Sequence, residues 1–167
     1  MTLVDSPTAI DPRHFRNVLG GYPTGVSIIT AKDDVGRHAM VVGTFTSISL
    51  NPPLVGFFPD RASSSWPKIE RAGRFCVNVL AANQLELSGR FAGKADDKFA
   101  GIAHGNSPSG QPLLDGVIAW LDCRIVGVQS VGDHFLVVGA VEALDKTSGE
   151  SPLLFHGGGY HRLQSLS

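Results

Sequence analysis

Apolar residues recur along this chain in short runs separated by glycine, proline and polar clusters, a rhythm that predicts strands joined by turns with brief helices between them. Asp11-Pro12 offers a capping side chain and a proline for a first helical turn, Phe15, Val18 and Leu19 share one face, and Gly20-Gly21 ends the helix. β-Branched residues from Gly25 to Thr30, the turn Asp33-Asp34-Val35-Gly36 and an extended run from His38 to Ser49 read together as a hairpin. Leu54 to Phe58 is a third strand, followed by the loop Pro59-Asp60-Arg61. Ser63-Ser64-Ser65-Trp66-Pro67 marks a capped helix start, and Gly73 ends that helix. Arg74 to Leu80 alternates as a strand, and Asn83 with Glu86 three residues on has the form of a reciprocal cap on a helix reaching Phe91.

Downstream, a polar loop spans His104 to Pro112, and two long strands, Val117 to Val128 and Phe135 to Leu144, meet at Val131-Gly132-Asp133 as a hairpin. Val117, Ala119, Leu121, Cys123 and Ile125 alternate with polar neighbours or Trp120, as a strand with one face on a core does. The second strand is apolar on both faces, which fits a central strand or a subunit interface better than an edge. Leu153-Leu154-Phe155, a glycine triplet and Tyr160 predict a last strand and a kink.

Composition narrows the class. With 167 residues, 43% hydrophobic and 17% charged, the chain is expected to form one domain over residues 11–167 after a flexible start over 1–10. A net charge of −1 and the absence of any basic run argue against nucleic acid or an anionic membrane surface as partner. No apolar stretch approaches the roughly 20 residues of a membrane helix, and no basic-then-apolar leader opens the chain, so a cytoplasmic location is expected. Cys76 and Cys123 sit in apolar runs and read as small buried hydrophobes.

The side chains that could carry chemistry are few. No His-Glu-x-x-His or Cys-x-x-Cys spacing suggests a metal, no Gly-x-Ser-x-Gly elbow suggests a hydrolase, and Gly157-Gly158-Gly159 does not open a helix after a strand as a dinucleotide fingerprint must. Hydroxyls gather instead at Thr44, Thr46, Ser47 and Ser49, and at Ser63, Ser64 and Ser65, where a helix start can hold a phosphate or the serines can simply cap it. Gly132-Asp133-His134 suits a tight turn with or without a further role, Trp66 and Trp120 suit packing, and Arg90 is either a surface charge or an anion clamp.

Read in order, these segments resemble the flavin reductase domain of two-component flavin-dependent monooxygenases. The resemblance rests on Phe15-Arg16, Pro23-Thr24-Gly25-Val26, the run from Phe45 to Leu54, Gly73 to Leu80, Arg90-Phe91, Asp97 to Gly101, Gly132-Asp133-His134 and Pro152 to Phe155, covering about Asp11 to Tyr160. It implies a mainly β fold, a split β-barrel with Greek-key connections and a few short helices, working as a homodimer with flavin near the subunit interface. The implied activity is NAD(P)H-dependent reduction of FAD or FMN, with NADH or NADPH as donor and a separate oxygenase receiving the reduced flavin. A carrier or sensor module without reductase activity is the alternative on the same fold.

By motif position the resemblance puts Met40, Val41, Val42, Gly43 and Thr44 along the isoalloxazine ring, with Ser47 and Ser49 close by. Asp60 and Arg61 would flank the ribityl and phosphate part, Ser63 and Ser65 would bind phosphate, Arg90 and Phe91 would complete that clamp, and His134 would face the nicotinamide. Relatives often carry a hydroxyl residue at Val41 and serine at Gly43, so backbone groups must do that work here, and the choice between FAD and FMN stays open. No side-chain nucleophile and no metal are expected.

Overall fold

A computed structural model describes residues 9–147 and 149–166. Of the loose start expected over 1–10, all but Ala9 and Ile10 lies outside them. Helix α1 (Pro12–Leu19) forms as its sequence predicts, with the Asp11 carboxylate accepting from Arg13 N at 3.1 Å and Gly20 closing the last turn. The strands that follow are β1 (Thr24–Gly25), β2 (Ser27–Lys32), β3 (Arg37–Val42), β4 (Thr46–Ser49) and β5 (Leu54–Phe57). Helix α2 (Trp66–Ala72), β6 (Arg74–Val79) and helix α3 (Leu85–Ala92) come next, then β7 (His104–Asn106), β8 (Pro112–Leu114), β9 (Ala119–Val131), β10 (His134–Lys146), β11 (Leu153–His156) and β12 (Gly159–Arg162). The fold is mainly β with few helices.

The seven-stranded sheet has the order β3-β2-β6-β9-β10-β5-β4, antiparallel throughout, and its hydrogen-bonded order does not close on itself. Its two end strands are nevertheless neighbours in the chain: β3 stops at Val42, β4 starts at Thr46, and only Gly43, Thr44 and Phe45 intervene. Four residue steps reach at most about 14 Å, whereas seven flat strands would hold their outer members about 29 Å apart. The sheet must therefore curl until its ends approach. The extended run expected from His38 to Ser49 is thus two strands on opposite ends of the sheet, a break that alternation cannot reveal.

β2 is buried on both faces. Ile29 and Ala31 join Phe57, Trp66, Ile69, Phe75, Val77 and Val137 in one core under α2, while Val26 and Ile28 join Leu80, Phe91, Phe99, Leu114 and Val117 in a second core under α3. Successive strand residues face opposite ways, so one strand serves both. β10, apolar on both faces, proves to be an interior strand between β9 and β5. Within it Gly139 is required by close approach, because a Cβ there would stand 2.5 Å from Phe75 Cζ. Trp66, 2% exposed and edge-on to Phe57, is a packing residue, and Trp120 packs against the second core.

Three local expectations need correction. The stretch from His104 to Pro112 is not all loop but holds the β7–β8 hairpin, pinned from below by buried Asn78. The cap on the α3 side is not Asn83 with Glu86: Gln84 Oε1 accepts from Ala81 N at 3.0 Å across a 3-10 turn (Ala82–Gln84), and α3 follows it. The chain end is a full hairpin, β11–β12, which joins β1 in a separate three-stranded sheet.

Asn78 donates through Nδ2 to Ile28 O and Thr30 Oγ1 at 3.1 and 3.0 Å and accepts from Leu114 N at 2.9 Å, and Thr30 Oγ1 in turn donates to Pro112 O. Removing that amide leaves several buried polar groups unpaired, so Asn78→Ala should lower stability by about 3 kcal/mol, read as a reduced urea midpoint; an unchanged midpoint would refute the staple.

At the β2–β3 turn, Asp33 accepts from His38 Nε2 at 2.9 Å, from Arg71 Nε at 2.8 Å and from Val35 and Gly36 N. The His38 bond foremost holds its carboxyl well below the usual aspartate range, with Arg71 and the two N–H groups adding to it against desolvation. A folded value below the unfolded one contributes stability that is complete above about pH 4 and is lost as pH falls towards the folded value. Acid unfolding of Asp33→Asn should accordingly show a shallower loss of stability below pH 4 than the parent, relative to each protein at neutral pH.

Candidate active site

The seam between β3 and β4 carries the first group of candidate residues. β3 pairs only with β2, so alternate backbone N–H and C=O groups along Met40–Val42 point to an open edge. The Met40 side chain packs on the first core and Val41 on the second. Val41, Val42 and Gly43 line a small, mostly apolar hollow of about 180 Å3 with Thr24, Val26, Phe155 and Tyr160. Thr44 Oγ1 accepts from Phe58 N at 3.0 Å, tying the seam to the end of β5. Ser47 is exposed and Ser49 half-buried on β4, and the register shifts between them.

The second group assembles around the β9–β10 turn. Gly132 takes φ +59°, the left-handed turn position that favours glycine, and His134 Nδ1 meets Asp133 Oδ1 at 2.7 Å. That bond, more than the nearby Arg16 charge, holds the Asp133 carboxyl below its usual range. The same contact fixes the orientation of the His134 ring, with Nε2 on the side away from Asp133. Asp60 bridges to His134, Phe135 N donates to Pro59 O, and Arg61 N donates to Asp133 O at 3.0 Å. The Arg61 guanidinium lies 5.6 Å from the Phe135 ring centroid and reaches Gly132 O at 3.4 Å. Asp60 and Arg61, expected along the ribityl and phosphate part, therefore stand against the His134 turn.

The serine stretch divides its labour. Ser63 Oγ accepts from Ser65 N and Trp66 N at 3.3 and 3.2 Å, so Ser63 caps α2 and keeps its own O–H to donate elsewhere. Ser65 makes no capping bond with its side chain. Both Ser64 and Ser65 line a cleft of about 390 Å3 walled by Arg37, His38, Lys68, Lys94, Lys98 and Phe99. Sequence reasoning missed these cations because they come from β3, α2 and the loop after α3, and no two lie within a basic run.

Arg90 and Phe91, expected together in a phosphate clamp, lie in different surroundings. Arg90 spends Nε on Lys98 O at 3.0 Å and Nη2 on Ala100 O at 2.5 Å, while the Phe91 ring is fully buried, edge-on to Phe99 at 5.0 Å. Neighbours on a helix point about 100° apart, so one goes to the core while the other reaches out. Both cysteines are buried and free; burial pushes their thiols up, Cys123 to about 12, which removes them as nucleophiles. Among the described residues no cluster of His, Cys, Asp and Glu could hold a metal.

Comparison with known proteins gives the family. A family model described as flavin reductase like domain matches residues 19–164. A flavin reductase of Pseudomonas putida is 56% identical over 154 residues, covering 92% of this chain and 91% of the relative. A reductase subunit of a flavin-dependent monooxygenase from Mycobacterium tuberculosis is 46% identical over 153 residues, 90% of this chain and 82% of its own. An FMN reductase (NADH) of Agrobacterium fabrum is 37% identical over 158 residues, covering 93% and 88%. Among solved structures, nitrilotriacetate monooxygenase component B from Mycobacterium thermoresistibile superposes with TM-score 0.88 at 43% identity, covering 91% of this chain and 86% of that one. An NADH:FAD oxidoreductase of Streptomyces globisporus, solved with NAD and FAD fragments, gives 0.88 at 29% identity, covering 96% and 99%.

The chain belongs to the flavin reductase like domain family. With membership comes the activity: it is a flavin reductase of the kind that serves two-component monooxygenases, not a carrier lacking reductase activity.

The tie from Arg90 to the Lys98–Ala100 loop gives a direct check. Arg90→Ala should cost about 1 kcal/mol and speed amide hydrogen exchange over residues 98–102; if exchange there is unaltered, Arg90 is not what orders the loop.

Proposed function

We propose that this chain, as a single domain over residues 11–167, binds oxidised FAD or FMN along the β3–β4 seam, reduces it with NADH or NADPH, and releases it to a separate oxygenase. The residues present fit a flavin. The open β3 edge offers backbone donors and acceptors to a pyrimidine ring, and the serine stretch offers hydroxyls beside a cationic cleft suited to phosphate. When bound, the flavin supplies the redox chemistry, taking hydride at N5 from the dihydronicotinamide.

The protein's own part is orientation. Met40, Val41, Val42, Gly43 and Thr44 hold the ring by backbone groups, with Ser47 and Ser49 beside it, and Ser63 and Ser65 donate to the phosphate. Asp60 and Arg61 fix the β9–β10 turn, and through it His134, whose ring aligns the nicotinamide. Arg90 acts indirectly, through the backbone of residues 98–100.

A homodimer and a fully closed barrel belong to the same reading. Helix α1 buries none of its residues, and Phe15, Val18 and Leu19 are 54%, 58% and 50% exposed, an apolar face that a second copy would cover. No helix among the described residues is long and apolar enough to cross a membrane, and a cytoplasmic location is our proposal.

The observation that carries the reading is the meeting of Asp60, Arg61 and His134 next to the serine stretch. Anaerobic mixing with flavin and NADH should bleach the oxidised-flavin band near roughly 450 nm, and a protein that bleaches with neither NADH nor NADPH refutes the activity. His134→Ala should raise KM for the nicotinamide nucleotide about tenfold while flavin affinity holds; an unchanged KM removes His134 from the site.

A further inference from the structure

The cleft beside the serine stretch holds more positive charge than the protein neutralises. Arg37, Lys68, Lys94 and Lys98 all face it, and Asp96 is the single acid in its lining. Lys68 and Lys94 make no ion pair among the described residues. Arg37 has only a loose partner, Asp97 at 3.8 Å, and otherwise donates to His104 Nε2 and lies over the Phe99 ring with 5.1 Å to its centroid. Lys98 spends its amine on Phe91 O at 2.8 Å, and burial, then the Lys68 charge, lowers its pKa. Asp33, at the β2–β3 turn, is already paired with His38 and Arg71.

Like charges gathered in a concavity cost free energy unless an anion joins them. The size of the cleft says which anion. About 390 Å3 falls within the roughly 300–1,000 Å3 of sites for small organic ligands, well beyond what one phosphate fills. Ser64, Ser65, Lys68 and Lys94 share its lining, Ser65 makes no capping bond with its hydroxyl, and Arg37 presents a planar guanidinium already stacked on one side by Phe99. Hydroxyls and ammonium groups suit a pair of phosphates, and a flat guanidinium with one open face suits a purine, so one lining offers partners to all three parts of a nucleoside diphosphate.

We infer that this cleft is a nucleoside-diphosphate site that takes the ADP half of FAD, making the enzyme select FAD over FMN. The inference rests on the proposed seating of the flavin phosphate at Ser63 and Ser65 and extends it. ADP is also part of NADH, so the test separates the two sources.

Titration calorimetry of the full chain with oxidised FAD, FMN and ADP, repeated on the double variant Lys68→Gln/Lys94→Gln, reads the site directly. The parent should bind FAD at least about tenfold more tightly than FMN and bind ADP measurably, and the double variant should lose most of that FAD-to-FMN ratio together with ADP binding. Both lysines are exposed, and an unchanged far-UV circular dichroism spectrum and urea midpoint report that the variant is folded. Equal losses for FAD and FMN would make the cleft a monophosphate site and overturn the inference. So would an intact FAD-to-FMN ratio with a raised KM for NADH, which would give the cleft to the nicotinamide nucleotide. Failure of the parent to reduce any flavin would instead strike the proposed activity, because ADP and FAD binding are measured without turnover.

Discussion

Gly43, Thr44 and Phe45 join the two ends of a seven-stranded sheet, and most of the architecture follows from how short that join is. It forces the sheet to curl, and curling gives β2 neighbours on both faces, which is why Ile28 and Ile29 belong to different cores. It also leaves β3 and β4 as edges that face each other across the seam. A Cβ on Gly43 would come within 2.9 Å of Thr24 Oγ1, so little slack remains there. The segment we propose for the flavin is this seam, which is positioned by the sheet instead of by a flexible loop.

The opposite wall depends on different physics. The β9–β10 hairpin is thirteen residues long on each side, long enough to carry Gly132-Asp133-His134 away from the sheet centre and against Pro59, Asp60 and Arg61. Backbone bonds from Arg61 and Phe135 fix the turn, so His134 is placed by pairing at some distance from its own side chain. The cationic cleft is built by a third set of contacts. Asn78 pins β8 over the second core, Phe91 and Phe99 fill that core, and the loop from Gly93 to Lys98 is stretched across its rim by Arg90.

What could be read from the sequence was whatever is local. Caps at Asp11 and the serine stretch, the alternation of β6 and β9 and the turn at Gly132 each leave a signature within a few residues. Non-local facts left none. Asn78 inside an apolar strand looks like an interruption until Leu114, thirty-six positions on, supplies the N–H that its amide accepts. Gln84 rather than Asn83 caps because a 3-10 turn shifts the register by one residue. Arg90 and Phe91 are adjacent in the motif, yet helical rotation sends them to different environments. The cleft lysines are dispersed, so no window of sequence contains the charge that the fold concentrates.

The departures at Val41 and Gly43 acquire a physical meaning from the seam. Val41 packs towards the second core and the hollow bounded by Phe155 and Tyr160, so a hydroxyl there would trade apolar contact for a hydrogen bond. In the proposed seating, ring recognition then falls to the unpaired backbone of the β3 edge. Backbone groups on an edge strand are rigid donors and acceptors that cost no side-chain entropy to order, but exposed edges invite pairing with other chains. A ligand lying on that edge satisfies its groups and blocks that pairing at once. Gly43, which follows the end of β3, has no side chain to crowd the approach, and this is why we propose an otherwise vulnerable edge as the place for the ring.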